Sequence, residues 1–215
     1  MNIVKTFRAL GLVLIVATMA ARADQTLLSN LPSNDGGSGL VSSSTWRAVT
    51  FTTGTQAFSI SSVTMRLENY ISSTDTAILT IRLGSASAPD SSVFGSLTAP
   101  VSGSDSPGDF VFTPTSAITL EANTLYWLVI AAANNTDTFA WERSEPSATP
   151  TGDVGATFEQ QKISDNGNSG WQEGNDGPHS FEISGSSVPE PATCALVGLG
   201  LAGLLYQARR VVQRR

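Results

Sequence analysis

The sequence predicts an all-β protein, an antiparallel β-sandwich of jelly-roll-like form, carried between an apolar N-terminal segment and an apolar C-terminal tail that ends in arginines. Three observations lead there. Between Asp24 and Val188 the apolar runs are short, and several alternate with polar residues at period two. Ser and Thr are abundant, and Gly and Pro interrupt the chain often. No stretch of that body has the 3.6-residue spacing of a long amphipathic helix, and none repeats at solenoid length.

The expected strands follow in order. A first strand covers Gln25 to Leu28, and Asn30 to Ser44 reads as a loop turning at Asp35-Gly36-Gly37. Trp46 to Thr52 places Trp46, Ala48 and Thr50 on one side and Arg47, Val49 and Phe51 on the other. Ser61 to Glu68 alternates most cleanly: Val63, Met65 and Leu67 face the core and Thr64, Arg66 and Glu68 face water. Thr76 to Leu83 repeats this with Ala77, Leu79, Ile81 and Leu83 inward. The short polar link Asn69 to Asp75 suits an antiparallel neighbour. Ser92 to Thr98, the Phe110/Phe112 strand and the Ile118/Leu120 strand come next. Thr124 to Ala133 is apolar on both faces, which suits a central strand covered on both sides. Asn134-Asn135 turns it into Thr138 to Glu142 as an expected hairpin. Val154 to Glu159, Trp171-Gln172 and Ser180 to Ser184 complete the set. Gly185-Ser186-Ser187 reads as a flexible linker, so the expected domain is 24–185.

The two ends have a different character. Lys5 and Arg8 precede an apolar stretch from Ala9 to Ala21, and Ala21-Arg22-Ala23 is a small-x-small site. That is the form of a signal peptide, residues 1–23, with Asp24 as the first mature residue and the Sec export machinery as partner. At the other end Pro189-Glu190-Pro191 keeps the chain extended. The run from Ala192 to Tyr206 has no charge, and Arg209, Arg210, Arg214 and Arg215 follow. As a helix it would span about 22 Å, short of the ~30 Å hydrocarbon core, a gap narrowed by Gln207 and Ala208 or by local thinning of the bilayer. Arginine is the charge that stays cytoplasmic, so the body is expected across the membrane from the cytoplasm.

Tripeptide, short apolar span and basic end, in that order, resemble the PEP-CTERM sorting signal of bacterial surface proteins. The matching residues are Pro189, Glu190 and Pro191, the span, and the arginines including Arg209 and Arg210. The resemblance implies that a membrane-embedded exosortase recognises the tail and cuts near the motif. It also implies a link to exopolysaccharide, and delivery through the inner membrane to the cell surface or beyond. An unprocessed C-terminal anchor is the alternative. The succession of turn-linked strands with late Trp141 and Trp171 is similar to choice-of-anchor domains. That resemblance implies a β-sandwich and no catalytic residues.

Charge and residue inventory narrow the function. The body holds Arg47, Arg66, Arg82, Arg143 and Lys162 against seventeen carboxylates, so it is far more acidic than the chain's net −6. That argues against nucleic acid and against adsorption to anionic lipid. The one cysteine, Cys194, lies in the tail, so no disulfide supports the domain. His179 is the one histidine, and no Gly-x-Ser-x-Gly elbow is present. A serine triad or zinc site is disfavoured, and His179 reads as a satisfied or surface residue. Glu142 and Glu145 read as loop-side polar groups rather than a glycosidase pair. No cofactor is expected. Calcium is the one metal considered, at Asp105/Asp109 or at Asp165-Asn166-Gly167-Asn168, where ordinary turn chemistry is preferred. Trp171 with Gln172, Asn175 and Asp176 is the candidate sugar-binding site, weighed against Trp171 as an apolar plug at one end of the sandwich. A non-catalytic exported protein is the leading reading and a lectin-like module the alternative.

Overall fold

The structure is a computed structural model that describes residues 24–188, apart from 72–74, 102, 146 and 175–176, together with residue 200. The strands in chain order are β1 Gln25–Ser29, β2 Asn34–Val41, β3 Trp46–Thr52, β4 Phe58–Glu68, β5 Ala77–Arg82, β6 Gly84–Ser85, β7 Ala88–Pro89 and β8 Gly95–Thr98. Then come β9 Gly108–Pro114, β10 Ile118–Leu120, β11 Leu125–Ala132, β12 Phe139–Glu145, β13 Thr157–Ser164, β14 Gln172–Glu173 and β15 Phe181–Ser187.

All the described pairings are antiparallel. One layer runs β1-β15-β4-β9, with β10 beside the start of β4 and the β2–β12 pair beyond its end. The other layer runs β8-β5-β11-β3-β13-β14. A single pairing, Leu97 with Pro114 and Thr98 with Thr113, joins β8 to β9 and curls the two layers into one folded sheet. The alternation seen in β4 now has its physical reason: Val63, Met65 and Leu67 are fully buried between the layers. Phe51, Leu79, Ile81, Phe112, Leu128, Phe181 and Ile183 complete the same core.

Strand β11 is central, between β3 and β5, as its two apolar faces require. Leu128 and Ile130 face the main core, whereas Trp127 and Val129 form a second cluster with Ala48 on the far side of the sheet. Trp46, Leu125 and Trp171 pack on that cluster. Thr80 and Arg82 do point outward from β5, yet both are buried because loops cover this face. Arg82 ties the cover down. Its guanidinium lies 5.3 Å from the Trp46 ring and donates to Asn168 Oδ1 at 2.9 Å and to the Asp90 carbonyl at 3.2 Å.

Five expectations about the strands and their links need correction. The expected loop Asn30 to Ser44 contains β2, paired with β12 from Glu145 back to Phe139. Its glycines hid it: a Cβ on Gly39 would sit 2.2 Å from the Arg47 Cζ, so a close crossing of that guanidinium excludes the side chains by which strands are usually read. The β11–β12 hairpin does not form. Asp137 Oδ2 accepts from the Asn134 backbone and side-chain amides, and the closed turn carries the chain to the opposite layer, where β12 joins β2 and β4. The link after β4 likewise crosses between layers instead of making β5 its neighbour. Leu83 lies beyond the end of β5 and is 40% exposed.

The last correction concerns the end of the domain. Gly185, Ser186 and Ser187 continue β15 and pair with Ile60, Ser59 and Phe58 of β4. Gly185 is there for space, since a Cβ would lie 2.0 Å from the Ser59 carbonyl oxygen. Gly185→Ala should therefore destabilise the domain by roughly 1–3 kcal/mol as an overpacking change. The check is a lower urea midpoint with an unchanged m-value; an unaltered midpoint would refute the steric account.

Candidate functional site

Three places gather the residues that matter. The first is the junction with the tail. The core side chains Phe181 and Ile183 fix β15 between β1 and β4. The strand does not loosen after Ser187: the Val188 N–H donates to the Ala57 carbonyl at 2.7 Å, and the Ser187 N–H donates to Gln25 Oε1 at 3.2 Å. Asp24 is exposed at the start of β1 and accepts from Ser61 Oγ at 3.3 Å. The first and last strands of the domain thus end side by side. Ala21 and Ala23, the motif Pro189, Glu190 and Pro191, the apolar span 192–206, and Arg209 and Arg210 lie outside the described residues. Among the described residues, no helix is long and apolar enough to cross a membrane.

The second place is Trp171. It is not a plug at the end of the main core, for it packs on the small outer cluster over Trp127. The other three indoles have carbonyl acceptors: Trp46 on Ser43, Trp127 on Ser85 and Trp141 on Ser180, at 2.8, 3.0 and 2.9 Å. Trp171 Nε1 is buried with no partner in the structure, while the side chain as a whole is partly buried. Gln172 beside it is exposed on β14; Asn175 and Asp176 lie outside the described residues. The Asp165–Asn168 turn is committed elsewhere: the Gly167 N–H donates to the Ser44 carbonyl at 2.7 Å, and Asn168 holds Arg82.

The third place was not expected. His179 and Glu142 are both buried, at 1% and 2% exposure, which corrects the reading of Glu142 as loop-side. The His179 ring stacks on Trp141 at 4.6 Å. Its Nδ1 lies 3.1 Å from the Trp141 carbonyl and its Nε2 lies 3.3 Å from Arg47 Nη1. A carbonyl can only accept and a guanidinium can only donate, so the ring is neutral with the proton on Nδ1. Burial, and then the Arg47 charge, push its pKa down to about 3. Burial pushes Glu142 up to about 7, helped by a hydrogen bond with Glu68 that favours one shared proton.

Outside this pair, Arg66 is held by Asp35 and donates through Nη1 to Asp109 Oδ1 at 3.0 Å. The bond to Asp35 keeps its proton bound more firmly than usual. Asp109 is thereby occupied. An open cleft of about 290 Å³ adjoins it, lined by Leu31, Pro32, Thr64, Asp109 and Glu182. Among the described residues no group of three acidic, histidine or cysteine side chains is placed to hold a metal ion. The Arg66–Asp109 contact had a sequence signal, an outward arginine in an alternating strand. The partner did not, because register pairs β4 with β9 and sets Arg66 against Asp109, 43 residues further along the chain.

Opposite pH dependences follow for the two buried groups. The folded pKa of Glu142 lies above its ordinary value, so its ionisation costs stability as pH rises from about 4.5 to 7. Glu142→Gln should raise the melting temperature relative to wild type above pH 7, with the gain vanishing below about pH 4.5. For His179 the folded pKa is lowered, so unfolding takes up a proton and stability falls as pH drops from about 6.5 toward 3. His179→Gln should flatten that acid limb. Thermal scans of both variants across pH 3–9 decide, and parallel wild-type and variant curves would refute either assignment.

Comparison with known proteins bears on the first place. No curated protein matches the chain. Residues 187–210 match the PEP-CTERM protein-sorting motif. The match begins at the final residue of β15, where the folded domain ends. The chain therefore carries a PEP-CTERM sorting tail directly on its last strand, and is an exported protein whose membrane-associated processing is the work of an exosortase.

Proposed function

We propose that the protein is a non-catalytic cargo domain, delivered by its tail to the cell surface or extracellular matrix and associated there with exopolysaccharide. The observation that carries this reading is the sorting motif at residues 187–210. Residues 1–23 act as the signal peptide, and 192–206 hold the precursor in the inner membrane until the exosortase cuts. The fold supports the non-catalytic part. The one carboxyl among the described residues with a displaced pKa, Glu142, is buried rather than open to a substrate. The lone histidine is committed on both ring nitrogens.

Mass spectrometry of the mature protein from its native cell tests the proposal. The expected product begins at Asp24 and has lost Arg209 and Arg210. Replacing Pro189, Glu190 and Pro191 together by Ala should leave the uncut precursor in the membrane fraction. A wild-type product that keeps its terminal arginines would overturn the sorting step.

The lectin-like reading has one observation in its favour, a partly buried indole flanked by exposed Gln172 and Glu173. It requires a sugar to stack on the ring face, since the indole N–H is buried and offers no hydrogen bond to it. Glycan-array binding that disappears in Trp171→Ala with an unchanged circular dichroism spectrum would support it. No binding by the intact domain would end it.

A further inference from the structure

The two poles of the sandwich differ in what leaves them. At one pole β3 ends and β4 begins, with Thr52 beside Leu125 and Phe58 beside Leu120. Gln25 pairs with Gly185 and Ser187 with Phe58 near the same pole, so the tail leaves from it and the mature chain starts at it. The linker expected between domain and tail is strand. From Val188, held by Ala57, three residues lead to Pro191. Fully extended, they reach roughly 10 Å. The headgroup layer on one side of the hydrocarbon is itself roughly 5–8 Å deep. An apolar span that starts at Ala192 therefore leaves no water-filled gap beneath the domain.

We infer that the tail-bearing pole of the folded domain rests directly on the lipid headgroup layer of the membrane that holds its tail, and that this layer is of the uncharged, zwitterionic kind. The inference rests on the sorting reading above. Exposed apolar side chains do not choose the pole by themselves: Leu83 and Phe94 flank this one, but Ile71 and Val101 stand exposed near the other. The exit of the tail chooses it. Charge then chooses the lipid. Asp24, Glu121 and Asp153 are at or beside this pole, and Arg47, Arg82 and Lys162 are all buried elsewhere in the sandwich. Such a surface is repelled by anionic headgroups. Leu83 and Phe94 can lie against zwitterionic ones.

The test uses the full chain with Cys194→Ser, which removes its one cysteine. A single new cysteine is placed either at Thr55→Cys, exposed in the turn beside Ala57, or at Val101→Cys on the opposite pole. Each variant carries an environment-sensitive fluorophore and is reconstituted in phosphatidylcholine vesicles bearing a headgroup-attached quencher. The expected result is that the probe at Thr55→Cys loses most of its emission while the probe at Val101→Cys keeps it. A Gly/Ser insertion of about ten residues between Val188 and Pro189 should restore the lost emission, since it lets the pole lift away. Adding anionic phosphatidylglycerol should weaken the quenching. If the chain floats with the vesicles and the two probes respond alike, the inference is wrong and the sorting reading survives. If the chain does not float with the vesicles, the tail is no membrane anchor and both fall together.

Discussion

A strand with no polar face must be covered twice, and much of this architecture answers that demand from β11. Its inward side chains, Leu128 and Ile130, need the β4 layer opposite them. Its outward side chains, Trp127 and Val129, need something that a two-layer sandwich does not supply. The chain provides it with two loops, the β6–β7 turn, whose Ser85 carbonyl takes the Trp127 N–H, and the 165–171 segment with Trp171. Arg82 is the fastening between them. Its burial costs solvation, which lowers its proton affinity, and its hydrogen bonds to Asn168, Asp90, Ser91 and Thr80 offset that cost. The glycines and asparagines around Trp171 therefore have a structural duty, closing a third layer over the sheet.

The same principle explains the buried polar residues where β12 leaves β4. Sheets end where strands diverge, and there backbone groups lose their ladder. Ser180 and Pro178 fill the divergence by bonding to Glu142 and Ser144 of β12. His179, between them, is drawn inward against Trp141 and Arg47. Its neutral form is imposed by the two neighbours it bridges. Glu142 is drawn under the Asp35–Arg66–Glu68 surface network for the same reason. A buried histidine beside a displaced carboxyl resembles catalytic equipment in a residue inventory, but here the geometry turns both toward packing.

What the sequence made legible was whatever depends on near neighbours. The facing of Val63, Met65 and Leu67, the two-sided burial of β11 and the joint burial of Phe181 and Ile183 all follow from local alternation, and all stand in the structure. The sorting tail was legible for the same reason, its parts being contiguous, and residues 187–210 match the PEP-CTERM sorting motif. What stayed hidden depends on distant pairing. The polar links after β4 and β11 look like hairpin turns in isolation; their role as crossings between layers is set by which strands compete for each edge. Strand β2 was invisible because its glycines make room for Arg47 and β12 instead of filling space themselves. Gly185-Ser186-Ser187 has linker composition yet strand conformation, because the unpaired edge of β4 captures it.

The placement of β15 also bears on the order of events during export. Strand β1 leads the folded domain, and its ladder partner, across a bulge between Thr26 and Leu28, is β15, the last strand of all. A polypeptide crossing a membrane with its amino end foremost would hold β1 idle, and β4 without its main neighbour, until residue 187 had passed through. On the proposed route, the sandwich is thus a clasp that can shut only after the whole domain has crossed.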